Sequence, residues 1–300
     1  MNPTDPRRDS LDGTALAVLL GCCTLWGLNQ VAAKVAMAEV PPLTQLALRS
    51  LGATVLVMAW ARWRGIALFA RDGTLRSGLL AGLLFAAEFA CIFTGLQFTT
   101  ASRMTVFLYL SPFIVALGMP FIARGERLSA RQWSGLLVAF GGVAIAFAEG
   151  LTAPRAGERQ WLGDALGVAA AVLWAATTLV IRASALSRAA AEKTLVYQLA
   201  VSAGVIGALA LALGQSLPRQ LSALTTASLL FQTIVVAFAS YLAWFWLVRH
   251  YPATRLASFT LLTPVAGLLF GVLLLSDPLT WPLLTGLATV VAGIVLVNRR

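Results

Sequence analysis

Charge is what this sequence holds least of. Asp, Glu, Lys and Arg make up 11% of its 300 residues, against roughly 25% in a soluble domain. So few charges cannot clothe a water-facing surface of this size, but they suffice where lipid faces most of the chain. Histidine is nearly missing: His250 stands alone, which excludes a histidine-built metal cluster. The three cysteines, Cys22, Cys23 and Cys91, all fall inside apolar runs. An odd number at that depth argues against a disulfide framework and for small buried hydrophobes. The sequence contains no GxxxxGK[ST] phosphate loop, no HExxH, no nucleophile elbow and no acidic metal cluster. ATP hydrolysis and hydrolytic chemistry therefore lack their usual machinery, and no catalytic residue, metal or cofactor is expected.

What is present is hydrophobicity, at 59% of residues. A helix that crosses the bilayer needs about 20 mostly apolar residues. Ten runs qualify: 14–36, 43–61, 76–97, 101–122, 130–149, 162–182, 193–213, 226–248, 253–275 and 280–297. The run from Thr14 to Ala36 is too long for a signal-peptide core, and no cleavage site precedes Pro41-Pro42, so it is expected to stay as the first span. Residues 1–12 read as a disordered polar tail. The expected fold class is an all-α integral membrane protein of ten transmembrane helices, with the lipid bilayer as its surroundings.

The net charge of +10 would suggest nucleic acid on a soluble protein. Here the basic residues cluster in short connectors, where they act as topology signals, and no nucleic-acid partner is expected. With the N-terminus in the cytoplasm, sixteen of the 22 Lys and Arg residues fall on the cytoplasmic side. Arg103, Arg155, Arg159 and Arg219 fall outside, and Lys34 and Arg49 lie within spans. Both termini are expected to be cytoplasmic.

The chain repeats itself. Trp26-Gly27-Leu28-Asn29-Gln30 with Lys34 matches Trp174-Ala175-Ala176-Thr177-Thr178 with Arg182. Ala101-Ser102-Arg103 before Ser111-Pro112 matches Ala253-Thr254-Arg255 before Thr263-Pro264. Gly125-Glu126-Arg127-Leu128 leads into Gly135 and Gly142, as Ser276-Asp277-Pro278-Leu279 leads into Gly286 and Gly293. The halves divide as 13–150 and 151–300, each with five spans. Five is odd, so the second copy lies upside down, a signature of secondary transporters.

These blocks resemble the drug/metabolite transporter superfamily, in its EamA-type family, over about residues 14–297. The resemblance rests on the order and spacing of Trp26-Gly27, Lys34, Ala101-Ser102, Ser111-Pro112, Gly125-Glu126-Arg127-Leu128 and Gly141-Gly142 with their second-half partners. It implies two inverted five-helix halves, both termini inside, and export of small metabolites or drugs. Within the family the sequence is most similar to YddG-type exporters of aromatic amino acids. Asp277-Pro278 departs from the first half's Glu126-Arg127, which leaves the acidic position's role open.

Candidate site residues follow from polarity at membrane depth. Pro112 and Pro264 each remove a helix hydrogen bond near mid-span and mark a hinge between halves. Trp26, Asn29, Gln30, Tyr109, Ser111, Trp174, Thr177, Thr178, Tyr241, Trp244 and Thr263 are level with them and suit a substrate pocket. Helix–helix packing is the competing reading. Glu88 lies mid-span, where a carboxylate is costly unless it meets water or a partner; it is expected to face a cavity and hold a substrate amine or a proton. Lys34, Arg49 and Arg182 are read as gating charges or carboxylate attractors, against snorkelling to headgroups.

The expected function is alternating-access export of a small metabolite, a neutral or aromatic amino acid first, across a bacterial inner membrane. Efflux of cationic drugs fits the same residues. A permease subunit of an ATP-driven system and a membrane-embedded enzyme remain lesser alternatives. The state is expected to be monomer or homodimer.

Overall fold

The computed structural model describes residues 12–122, 129–216, 218–251, 256, 260 and 262–298. The polar tail 1–11, the block Gly125-Glu126-Arg127-Leu128, and Ala253-Thr254-Arg255 lie outside the described residues.

Among the described residues the chain is helical throughout. In order come α1 (Gly13–Ala36), α2 (Pro42–Trp63), α3 (Leu75–Gly95), α4 (Ala101–Leu108), α5 (Ser111–Ile122), α6 (Ala130–Thr152) and α7 (Gln160–Ala183). Then follow α8 (Ala191–Ala212), α9 (Ala223–Leu230), a π-helical segment (Phe231–Ser240), α10 (Tyr241–His250), α11 (Leu262–Leu275) and α12 (Trp281–Asn298). Counting α4–α5 and the α9–α10 run as one span each, eight helices among the described residues are long and apolar enough to cross a membrane. The apolar helices at Leu262–Leu275 and Trp281–Leu296 are shorter.

Local sequence explains several helix starts. The Asp12 carboxylate caps α1 by accepting from the Ala15 amide at 2.8 Å. Pro42 opens α2, where its missing N–H costs nothing. Ser129 and Gln132 close a reciprocal capping box on α6. The Thr100 hydroxyl caps α4 by accepting from the Arg103 amide.

Two spans are interrupted. Pro112 has no amide to give to the carbonyl four residues back, at Leu108, and the chain turns at Tyr109 and Leu110 between α4 and α5. The π segment between α9 and α10 is a different kind of break. The Thr233 hydroxyl donates to the Leu229 carbonyl and the Ser240 hydroxyl to the Val236 carbonyl, both at 2.7 Å. Such back-bonds compete with the regular helix ladder.

Packing pairs the helices in a regular way. α6 packs on α12 and α2 on α8. α3 packs on α7, as α1 does on the run from α9 to α10. α1 packs on α11, as α7 does on α4 and α5. Glycines allow the closest approaches. A Cβ on Gly27 would stand 2.7 Å from the Gly267 amide nitrogen, and one on Gly293 would stand 2.6 Å from the Gly135 carbonyl oxygen.

Candidate functional site

An aromatic and charged cluster forms where α1, α2, α3 and the start of α10 meet. Trp26 donates its indole N–H to the Ser240 hydroxyl at 2.9 Å. Its ring stands edge-on to Trp244 at 5.4 Å and to Tyr241 at 6.4 Å between centroids. Edge-to-face contacts use the ring quadrupoles and hold such a cluster in one geometry. The Tyr241 hydroxyl accepts from the Arg49 guanidinium at 3.1 Å. Arg49 lies over the Phe89 ring at 4.4 Å, and Glu88 precedes that residue on α3. The charges of Arg49 and Glu88 both act on Tyr241. Asn29 and Gln30 lie three and four residues beyond Trp26, on the same face of α1. The side-chain oxygens of both are buried without a hydrogen-bond partner.

A second group forms across α4, α7 and α11. Tyr109, at the break after α4, meets Trp174 edge-on at 6.1 Å. Thr263 is buried, and its hydroxyl lies beside Tyr109 and Cys23. Thr177 and Thr178 donate to the carbonyls of Leu173 and Trp174, four residues back, so their hydroxyls are satisfied within α7. Ser111 is buried at the first turn of α5, with Pro112 next to it. Pro264 is buried near the start of α11, and that helix meets α4 where Gly267 faces the Thr105 side chain.

The remaining charges lie elsewhere. Lys34 is half-buried and donates its ammonium to the Thr99 carbonyl, at the end of the bundle rather than in the aromatic cluster. Arg182 stands exposed in the last turn of α7.

At the bundle end that holds Thr99, the structure contains an ionic network the sequence did not disclose. Arg103 is 3% exposed, although its position beside a connector suggested a topology charge. It donates to Glu149 at 2.7 Å, to Asp164 at 2.6 and 3.1 Å, and to the Ala146 carbonyl. The Thr99 hydroxyl completes Asp164 at 2.6 Å, and Thr280 donates to Glu149 at 2.9 Å. Close by, Asp277 accepts from the Ser102 amide and hydroxyl at 2.9 and 2.8 Å. At the opposite end, the Tyr251 hydroxyl donates to Asp12 at 2.9 Å. Asp12 and Asp164 are 152 residues apart, and so are Thr99 and Tyr251.

The aromatic rings of both groups are only partly covered: Trp26, Trp174, Tyr241 and Trp244 are half-buried. A cavity of about 560 Å³ opens beside Glu149, Arg155, Thr280 and Trp281, and one of about 410 Å³ beside Asp72, Lys193 and Tyr197. Neither is lined by the aromatic clusters, and Glu88 is 5% exposed. Within the bundle the arrangement offers hydrogen-bonding groups, aromatic faces and two unpaired charges. Among the described residues no group of His, Cys, Asp and Glu could hold a metal ion.

Among the described residues the chain is a bundle of long apolar helices with polar side chains buried between them, an architecture that suits a membrane transport protein. The EamA-like transporter family matches residues 13–148 and 161–299, and the chain belongs to that family. Its members and the chain's relatives are transporters, not enzymes. An uncharacterized transporter of Bacillus subtilis (strain 168), YvbV, is 28% identical over 97% of this chain and 93% of its own length. A probable amino-acid metabolite efflux pump of Escherichia coli (strain K12) is 26% identical over 90% of each chain. A solved crystal structure shares the fold at a TM-score of 0.66 and 18% identity, covering 95% of this chain and 97% of that one.

Proposed function

We propose that the chain exports a small metabolite, a neutral or aromatic amino acid first, across a bacterial inner membrane by alternating access. The observation that carries this reading is the meeting of the half-buried rings of Trp26, Tyr241 and Trp244 with buried Arg49 and Glu88. It places unpaired polar groups beside aromatic faces deep in a bundle otherwise built for lipid. Charges at that depth are costly and are kept where they serve a pathway. The Escherichia coli relative's name points to the same cargo class.

The transport cycle in this reading uses ten spans in two inverted halves, 13–150 and 151–300. The packing supports it. Exchanging each span for its counterpart five places on turns the α3–α7 contact into that of the α9–α10 run with α1, and α1–α11 into α7 with α4–α5. The hydroxyl-to-aspartate contacts Thr99–Asp164 and Tyr251–Asp12 are counterparts at opposite ends, suited to close the two entrances in turn. The polar contacts between connectors join ends that a ten-span count puts on one side: Lys34 with Thr99, Ser222 with Glu39, and Lys193 with Asp72. The arginine bias puts both termini in the cytoplasm. Cationic-drug efflux is the second reading, supported by Glu88 and the aromatic rings.

The test is flux into liposomes that hold the purified protein alone, with a panel of labelled amino acids and no ATP. Glu88→Gln is expected to lower the rate at least about tenfold, by analogy with the loss of a substrate-binding charge, while the helical content and elution volume stay those of the wild type. Full flux in Glu88→Gln removes Glu88 from the mechanism.

A further inference from the structure

Arg49 on α2 and Glu88 on α3 bring side chains of opposite charge type into the same part of the interior, yet they are not an ion pair. Arg49 is 1% exposed and Glu88 5%. Arg49 uses Nη2 on the Tyr241 hydroxyl, while its Nε and Nη1 are buried with no acceptor. The guanidinium is held by the Phe89 ring at 4.4 Å, with the Phe93 ring at 5.8 Å. Glu88 takes no hydrogen bond and makes no ion pair among the described residues, although the two charges feel each other through the interior. A buried charge left without a partner is costly. Two such charges of opposite sign, near one another and both unfilled, match a solute that carries both signs a few bonds apart.

We infer that Arg49 and Glu88 form a clamp for the zwitterionic head of an α-amino acid. The carboxylate sits on the free Nε and Nη1 of Arg49, and the ammonium sits against Glu88. The side chain of the cargo then extends along Trp26, Tyr241 and Trp244. The inference rests on the transport reading and narrows its cargo. A cation without a carboxylate meets the unopposed guanidinium and is repelled. A carboxylate without an ammonium meets Glu88 and is repelled in turn. The clamp therefore favours amino acids over the cationic drugs that the aromatic rings alone would accept.

The experiment uses the full-length purified protein. Calorimetric titration compares phenylalanine, leucine and threonine with the decarboxylated and deaminated analogue of each; for phenylalanine these are phenethylamine and 3-phenylpropionate. At least one zwitterion is expected to bind about 100-fold or more tightly than either of its analogues, since a site built for a polar group rejects the ligand that lacks it. Arg49→Gln is expected to erase the preference over the amine, and Arg49→Lys to restore part of it. Glu88→Gln is expected to erase the preference over the carboxylate. The wild-type comparison needs no variant, so a variant that fails to fold does not remove the test. Equal binding of zwitterion and analogue, or no binding of any zwitterion, overturns the clamp. Flux in liposomes separates the two claims. Zwitterion binding without flux keeps the clamp and refutes export, whereas flux of cations without zwitterion binding keeps transport and refutes the clamp.

Discussion

At the residue scale, buried polar groups divide into those that are completed and those that are not. Arg103, Asp164 and Glu149 complete one another, with Thr99 and Thr280 filling the remaining lone pairs. Removing one partner strands a buried charge, which costs about 3–5 kcal/mol. Asp164→Ala should therefore lower the thermal unfolding midpoint sharply in detergent, while Arg182→Ala, exposed at the end of α7, should leave it near the wild-type value. Asp72 gives a pH signature. The Thr74 hydroxyl first, and then Lys193, hold its carboxyl down at about 2, below the ordinary 3.8. A carboxyl depressed on folding contributes stability above its unfolded pKa and loses it as pH falls through the folded one. The wild type should lose this contribution between pH 3.8 and about 2, and Asp72→Asn should lack that component of its pH–stability curve. The sequence made polar residues at membrane depth visible one by one. It did not reveal their partners, because Arg49 meets Tyr241 across 192 residues and Arg103 meets Asp164 across 61. Arg103 misled in particular: a cation at a span end reads as a headgroup anchor, and only the fold turns it inward.

At the element scale, the apolar runs translate directly into helices, and the Pro112 break is legible because proline's missing amide acts locally. The π segment was not legible, since it depends on hydroxyl back-bonds and on α2 packing against it, where a Cβ on Gly52 would stand 2.7 Å from a Thr233 methyl. Small residues set how closely helices approach. Gly293 on α12 faces the α6 backbone at Gly135, whereas Gly141 on α6 has nothing within 4 Å of a built Cβ. Gly293→Ala should push α12 off α6 and cost about 1–3 kcal/mol, as overpacking does. Gly141→Ala should be neutral or stabilising by up to about 1 kcal/mol, because alanine favours helix over glycine. Thermal unfolding of the two variants side by side checks both signs. Equal loss from each would show that glycine at these positions acts through something other than contact.

At the scale of the whole molecule, the sequence repeats propose two halves, 13–150 and 151–300, and the family model matches 13–148 and 161–299. The proposal of inverted halves draws on the pairing of α3 with α7 and of α1 with the α9–α10 run. An odd number of spans per half follows from counting apolar runs, and that count is what makes an inverted arrangement the proposal. The orientation has its own test. In a cysteine-free background, Glu158→Cys and Ser187→Cys place thiols on the exposed connectors before and after α7. A membrane-impermeant maleimide applied to intact cells should label the first and spare the second; the opposite pattern would invert the molecule.

The central claim is that the cluster of Arg49, Glu88, Trp26, Tyr241 and Trp244 carries an amino acid through the bilayer without ATP. Counterflow in liposomes measures this most directly. Protein-loaded vesicles holding an unlabelled neutral amino acid should accumulate the labelled one transiently, and Glu88→Gln vesicles should not. No accumulation of any amino acid by folded wild-type protein, or equal accumulation by Glu88→Gln, would contradict the account.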